Sequence, residues 1–168
     1  VKARSTLQDR RLTGSLSLRS SALKLEGRGT IDLARSGFDD VRIGLDLLRP
    51  PALFPNMTGR KVRLVWTLDG PFATALYSYR LTSPHVQFDD TGFNDLRAEG
   101  RGRVGPWPMR VPIRLSARAL TGIGDVAGAM LANPKIEGWL TVSPKLVRGD
   151  GLRLTSAKWT GKISLLID

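Results

Sequence analysis

The chain has 168 residues, with 26 Lys and Arg against 15 Asp and Glu, and it contains no Cys. That length is enough for one domain with its own hydrophobic core. The absence of Cys excludes a disulfide framework and a thiolate metal site, and no apolar run approaches the roughly 18 unbroken residues of a membrane span.

The formal net charge of +11 is spread along the chain, with 14 Lys and Arg in residues 1–84 and 12 in residues 85–168. Three interpretations of this charge are open: a solvated strand face, contact with anionic lipid headgroups, and contact with nucleic acid. Binding of single-stranded nucleic acid would require aromatic residues interleaved with the basic ones for base stacking, and this chain does not show that pattern. A solvated face is therefore favoured, and nucleic acid is the least favoured partner.

Four segments of the first 68 residues alternate between apolar and polar positions, which is the pattern of half-buried strands. Residues 1–11 are polar and basic, and they predict a frayed start or an edge segment. The strands predicted next are Leu12–Arg19, Leu23–Leu33, Val41–Leu47 and Lys61–Leu68. Before the last of these, three prolines in Arg49–Gly59 predict a loop or a short helical turn. This segment is expected to lay Leu53, Phe54 and Met57 over the end of the sheet.

The remaining residues continue the pattern, with predicted turns at Asp69–Pro71, Ser83-Pro84 and Asp89–Gly92. Further strands are predicted at Phe72–Leu81, His85–Phe88, Phe93–Val104, Met109–Ala119, Lys135–Val142, Lys145–Arg148, Leu152–Ser156 and Lys158–Ile167. Helical spacing of apolar residues predicts one helix across Thr121–Asn133. Roughly ten or eleven strands without βαβ alternation predict an all-β, mainly antiparallel fold. The apolar face of such a sheet must meet a second sheet, a helix, itself as a barrel, or a ligand.

Two phrases occur more than once in the chain. Leu96–Gly102 (LRAEGRG) repeats the pattern of Leu23–Gly29 (LKLEGRG), and Gly92–Arg97 (GFNDLR) repeats that of Gly37–Arg42 (GFDDVR). Such echoes indicate a domain built by repeating a strand–turn–strand unit, with sub-repeats in residues 12–68 and 85–142. The start at Val1 and the strand-like end indicate that residues 1–168 are a fragment of a longer protein.

Glycine-rich segments offer two candidate nucleotide sites. Gly100–Gly105 matches GxGxxG, but Pro106 follows where the helix that holds a pyrophosphate would have to begin. Gly122–Ala127 opens the predicted helix, yet no acidic residue stands about 20 residues later to bind a ribose. For Gly100–Gly105 the favoured interpretation is glycines that permit bending of a strand. For Gly122–Ala127 it is a helix that covers the open end of the sheet.

The titratable residues do not form a recognisable catalytic or metal-binding pattern. His85 is the only His, which excludes a multi-His metal site, and no GxSxG nucleophile elbow occurs. The pairs Asp39-Asp40 and Asp89-Asp90 are read as turn residues rather than as paired catalytic carboxylates or a Ca²⁺ site. We therefore expect no enzyme activity, no cofactor and no metal.

With these segments in order, the chain resembles the periplasmic repeat region of the AsmA-like superfamily, which includes the YdbH-like and TamB-like proteins of diderm bacteria. The similarity lies in the strand phrases at Leu23–Gly29 and Leu96–Gly102, in Ile136–Val142 and in the closing segment Leu152–Asp168. It implies an elongated, strongly curved amphipathic sheet, or half-tube, with one short helix. It also implies a non-enzymatic periplasmic segment, in a protein anchored to the inner membrane elsewhere, whose apolar face shields phospholipid acyl chains between the two membranes.

The resemblance makes the inward strand residues of the second half candidate lipid-groove residues. They are Leu96, Ala98, Val104, Met109, Val111, Ile113, Leu115, Leu140 and Val142. The same residues would form the dry core of a closed β-sandwich, which is the alternative fold. The alternative functions are a β-rich interaction scaffold that binds envelope proteins or its own copies through sheet edges, and a YdbH-type protein associated with dicarboxylate transport.

Overall fold

The computed structural model describes residues 1–167, which form thirteen strands, one 3₁₀ turn at Pro50–Ala52 and one short helix, α1 (Asp125–Met130). The strands are β1 (Lys2–Gln8), β2 (Arg11–Arg19), β3 (Leu23–Asp32), β4 (Gly37–Leu47), β5 (Met57–Arg60), β6 (Val62–Pro71), β7 (Leu76–Phe88), β8 (Thr91–Arg103), β9 (Met109–Ser116), β10 (Ala119–Thr121), β11 (Lys135–Val142), β12 (Val147–Thr155) and β13 (Thr160–Ile167). The predicted all-β class is confirmed.

All thirteen strands belong to one antiparallel sheet, which does not close into a barrel. Its main path runs in the order β1-β2-β3-β4-β6-β7-β8-β9-β11-β12-β13, so that nearly every strand pairs with its neighbours in sequence. Each connection along the path is therefore a hairpin or a short excursion. Because the described strands form a single sheet, the alternative of a closed β-sandwich is not the fold of this chain.

Strands β5 and β10 lie beside the main path and enlarge one end of the sheet. The first half of β7 pairs with β6, whereas Phe88 and its neighbours at the end of β7 pair with β5. The start of β8 likewise pairs with β10. We call β5, residues 85–88, residues 91–94 and β10 the end flap.

The best-buried cluster of the described residues lies where the end flap meets the main sheet. Met57 and Val86 from the flap contact Val62, Leu96 and Ala117, and each of these five side chains is at most 6% exposed. Four partly buried residues surround them: Leu47, Leu81, Phe93 and Leu115. Burial of Met57, Val62, Val86 and Leu96 is worth roughly 1.5–3 kcal/mol each, which makes this corner the main hydrophobic core of the described residues.

The echoed phrases have a structural counterpart in the fourth residue of each GFxD segment. Asp40 has a φ of 48° and Asp95 a φ of 51°, so both occupy the left-handed region. Asp tolerates this region better than most residues other than Gly. In β4 the regular register shifts between Phe38 and Val41, and in β8 Asp95 stands where the ladder with β7 is interrupted at Pro84. The repeated phrase thus interrupts strand pairing at a defined position.

Several predicted boundaries differ from the structure. Asp69–Pro71 belongs to β6, and β7 runs without a break through Ser83 and Pro84, so these two predicted turns are wrong. The hydroxyl of Ser83 explains why the strand continues, because it lies 3.0 Å from the Arg60 carbonyl and 2.7 Å from the His85 carbonyl at the position where Pro84 lacks an N–H.

Other differences concern the loops and the helix. Helix α1 has six residues instead of the thirteen of Thr121–Asn133, and strand β5 begins inside the segment that was predicted as a loop. Met57 is buried as predicted, but Leu53 and Phe54 are 43% and 51% exposed rather than laid over the sheet. Asp39 and Asp40 lie within β4, not in a turn.

Candidate functional site: the apolar face of the sheet

A continuous row of aliphatic side chains crosses nine strands on one face of the sheet. Residues directly opposite each other in an antiparallel pair share a face, so the register alone defines the row. Its members are Leu18, Leu25, Leu45, Leu64, Leu81, Ala98, Leu115, Ile136 and Leu154. We call this set the apolar row. At about 4.8 Å per strand it spans about 38 Å across the strands.

A second apolar set runs beside this row on the same face. Ala3, Leu16, Gly27, Ile43, Trp66, Tyr79 and Gly100 are in register across seven strands. Leu16 is 41% exposed and Trp66 is 39% exposed, values that are high for large apolar side chains. Within residues 1–167 no second sheet covers these side chains, since every strand belongs to the same sheet.

Two tyrosines shape the middle of the apolar face by lying across glycines. The ring of Tyr79 occupies the space where a side chain at Gly100 would stand, and the ring and hydroxyl of Tyr77 occupy the same space at Gly102. These glycines belong to the GxGxxG segment, but they lie inside β8 and serve packing. No helix follows them before β9, so this segment lacks the geometry of a dinucleotide site.

The hydroxyls of the two tyrosines differ in their partners. Tyr79 donates a hydrogen bond of 2.8 Å to the Pro112 carbonyl on β9, and burial raises the pKa of Tyr79 to about 12. Tyr77 is 4% exposed, and its hydroxyl is buried without a hydrogen-bond partner among the described residues. Burial raises the pKa of Tyr77 as well. Tyr77 therefore carries the unsatisfied polar atom of this face.

The predicted groove residues fall largely on this face. Ala98 and Leu115 are members of the apolar row, and pairing of β9 with β11 puts five more on the same face: Met109, Val111, Ile113, Leu140 and Val142. Leu96 and Ala98 are 6% and 4% exposed, so both are closed to a ligand. Leu96 belongs to the corner core, and Leu115 packs against that core. Val104 directly follows the end of β8, and its N–H donates to the Ala75 carbonyl just before β7.

The first-half members of the apolar row were absent from the predicted groove, which drew only on the second half of the chain. Leu18, Leu25, Leu45 and Leu64 alternate with polar residues as clearly as the predicted residues do. The strand pattern could therefore have found them. What it could not supply was the register that joins both halves into one row.

The remaining candidate residues do not converge on a reactive arrangement. Nδ1 of His85 donates to the Asn94 side-chain oxygen at 2.7 Å, and the two residues form a cross-strand pair in the end flap. Asp39 is paired with Arg11. In the described part of the chain, no three His, Asp or Glu side chains form a group that would hold a metal ion. None of the helices within residues 1–167 has the length and hydrophobicity of a membrane span.

Comparison of the chain with protein-family models, with curated proteins and with solved structures finds no match.

Proposed function

We propose that the apolar face carries lipid acyl chains, as a non-enzymatic segment of a lipid-transport protein. The observation that carries this proposal is the apolar row, which continues over nine strands on a sheet without a second layer. Single apolar residues at a protein surface are ordinary, but a continuous apolar surface is typical of a binding site.

The dimensions of the row suit an acyl chain. The hydrocarbon core of a bilayer is about 30 Å thick, so one leaflet accounts for about 15 Å. The row of about 38 Å exceeds that length, and its long axis runs across the strands. Each CH₂ group removed from water contributes about 0.8 kcal/mol, so shielding two acyl chains lowers the cost of moving a phospholipid through water substantially.

The resemblance to the AsmA-like superfamily, and within it to YdbH-like and TamB-like proteins, agrees with this proposal. On that basis the protein would act in the periplasm, anchored to the inner membrane by another part, and phospholipid would be its cargo. Hairpins that follow one another along a single sheet suit such a role, because the sheet can be lengthened by adding strands at either edge.

Two neighbouring residues on β6 allow a matched test. Leu64 belongs to the apolar row, whereas Val65 points to the opposite face, and both are partly buried. The purified protein is incubated with phospholipid vesicles and isolated again, and its bound lipid is extracted and quantified. Leu64→Glu puts a carboxylate among the acyl chains and is expected to lower bound lipid by about tenfold, while Val65→Glu leaves it near the wild-type level.

The result also separates this proposal from its competitors. Absence of extractable phospholipid from the wild-type protein, or equal losses in both variants, would contradict an acyl-chain site on the apolar face. Circular dichroism and urea unfolding of both variants check that a lower lipid content reflects the site rather than loss of the fold.

The edges of the sheet favour a second candidate function, an interaction scaffold. Strands β1 and β13 each pair on one side only, and all seven residues of β1 are exposed. Such edges can accept a strand from an envelope protein or from a second copy of this chain. Light scattering over a range of concentrations tests self-association, and a strictly monomeric protein would count against the version with a second copy.

A further inference from the structure

The polar face of the sheet carries a row of hydrogen-bond donors without any carboxylate. Its members follow one another in register across seven strands: Arg4, Ser15, Arg28, Arg42, Thr67, Ser78 and Arg101. We call this set the donor row. Among residues 1–167 none of its four guanidinium groups has an acidic side chain within ion-pair distance.

The next row on the same face behaves differently. Glu26, Arg80, Glu99, Arg114 and Glu137 lie along it. From β3 to β11 the charges of this row are paired, with 2.8 Å from Lys24 to Glu26, 3.3 Å from Arg80 to Glu99 and 3.6 Å from Arg114 to Glu137. The donor row differs from this part of the neighbouring row because its four basic side chains have no acidic partner among residues 1–167.

One pair within the donor row is unfavourable as it stands. Arg28 and Arg42 are directly opposite each other on β3 and β4. Like charges in that position destabilise a sheet, because their side chains are held about 5 Å apart. An anion between the two guanidinium groups would turn this repulsion into two charge-assisted contacts.

The donor row also lies in a depression of the surface. The ladder between β8 and β9 covers only three residue pairs, from Arg97 to Glu99. A hollow of about 750 Å³ lies beside these strands. Its lining includes Arg42, Thr67, Ser78 and Arg101 of the donor row, together with Glu99, Tyr79, Ile113 and Trp139. A neighbouring hollow of about 680 Å³ shares Arg42 and adds Arg4, Ser15 and Arg28, together with Glu26, whose carboxylate is paired with Lys24.

The hydroxyls on the floor of the hollow add a further donor. Thr67 Oγ1 and Ser78 Oγ are 2.8 Å apart, so one hydroxyl hydrogen joins the two side chains. The hydrogen of the accepting hydroxyl remains available for an acceptor in the hollow. Guanidinium forks and hydroxyls together are the groups that bind phosphate oxygens.

We propose that the donor row binds an anion that carries more than one phosphate group. Arg28 and Arg42 are one strand spacing apart and hold one phosphate, while Thr67, Ser78 and Arg101 hold another within about 14 Å. The side chains of the donor row lie on the face opposite to the apolar row, so this proposal does not rest on the proposed lipid function. The phosphates belong either to a soluble polyphosphate or to lipid headgroups at a membrane surface.

Two experiments distinguish these sources. One is calorimetric titration with inorganic tripolyphosphate, and the other is sedimentation with phosphatidylcholine vesicles that contain phosphatidic acid. The test variant is Arg42→Gln with Arg101→Gln. The matched control, Arg19→Gln with Lys162→Gln, removes the same charge from exposed strand residues outside the donor row. The test variant is expected to weaken tripolyphosphate binding by about tenfold or more, and the control by much less.

Each outcome bears on the proposal. A soluble source predicts tripolyphosphate binding without vesicle binding, and a headgroup source predicts vesicle binding that tripolyphosphate displaces. Both support the site if the loss is confined to the test variant. The proposal would be overturned if both double variants lost binding equally, or if neither probe bound at low salt. It would also be overturned if the protein bound tightly only to a single-stranded oligonucleotide, with equal losses in both variants.

Discussion

The contact between Tyr79 and Gly100 gives the sharpest test of how the two halves of the sheet are joined. A methyl group at Gly100 would stand 2.6 Å from Cε1 of the Tyr79 ring and would also overlap the Pro112 carbonyl oxygen. Gly100→Ala therefore forces the ring away from β8. Overpacking of this kind costs about 1–3 kcal/mol, and loss of the hydrogen bond from Tyr79 to Pro112 costs about 1 kcal/mol more.

The expected destabilisation of about 2–4 kcal/mol is a large part of the stability of a domain of this size. Urea unfolding followed by far-UV circular dichroism measures it. Gly105→Ala is the matched control, because a methyl group there meets nothing within 4 Å, and we expect a change within about 0.5 kcal/mol. Equal stability of the two variants would refute the proposed packing of Tyr79 across β8.

Two further predictions use pairs of substitutions that differ by one group. Tyr77→Phe removes a buried hydroxyl without a partner and should stabilise the protein by about 1 kcal/mol. Tyr79→Phe breaks a hydrogen bond and should destabilise the protein by a similar amount. Shifts of stability in the same direction would contradict this assignment. Asp40→Gly should keep or raise stability, because Asp40 has a φ of 48°, whereas Asp40→Val should cost about 1–2 kcal/mol. Thermal unfolding of both variants measures the difference, and a Val as stable as the Gly would refute strain at this position.

The alternation of apolar and polar residues was sufficient to predict the fold class and most of the strands. Period two is a local property of the chain, and Leu12–Arg19 or Lys135–Val142 show it without help from distant residues. Turns marked by proline were less reliable. Pro84 is predicted to end a strand, but the buried hydroxyl of Ser83 contacts the carbonyls of Arg60 on β5 and His85 on β7. The contact with Arg60 exists only when β5 and β7 are paired in the folded sheet.

The candidate sites depend on register, which the sequence does not state. Arg42 and Arg101 are 59 positions apart, yet the ladder places them in one row with Thr67 and Ser78 between them. The echo of GFDDVR in GFNDLR predicted a repeated turn, and its position in the fold shows an interruption within two strands instead. Local propensity cannot distinguish these two uses of an Asp with positive φ.

An open sheet with one apolar face needs a source of stability other than a second layer. Each ladder hydrogen bond contributes only about 1 kcal/mol net, and the described core cluster is small and lies at the corner around Val86 and Val62. Seven of the nine side chains in the apolar row are only partly buried, and Trp66 beside the row is 39% exposed to water. A ligand that covered that surface and bound only the folded sheet would be coupled to folding, because it would stabilise the sheet in proportion to its occupancy. A strand added at β1 or β13 covers the edges and leaves the apolar face as it is. For this reason the apolar face itself favours a lipid over a strand-adding partner as the ligand of the sheet.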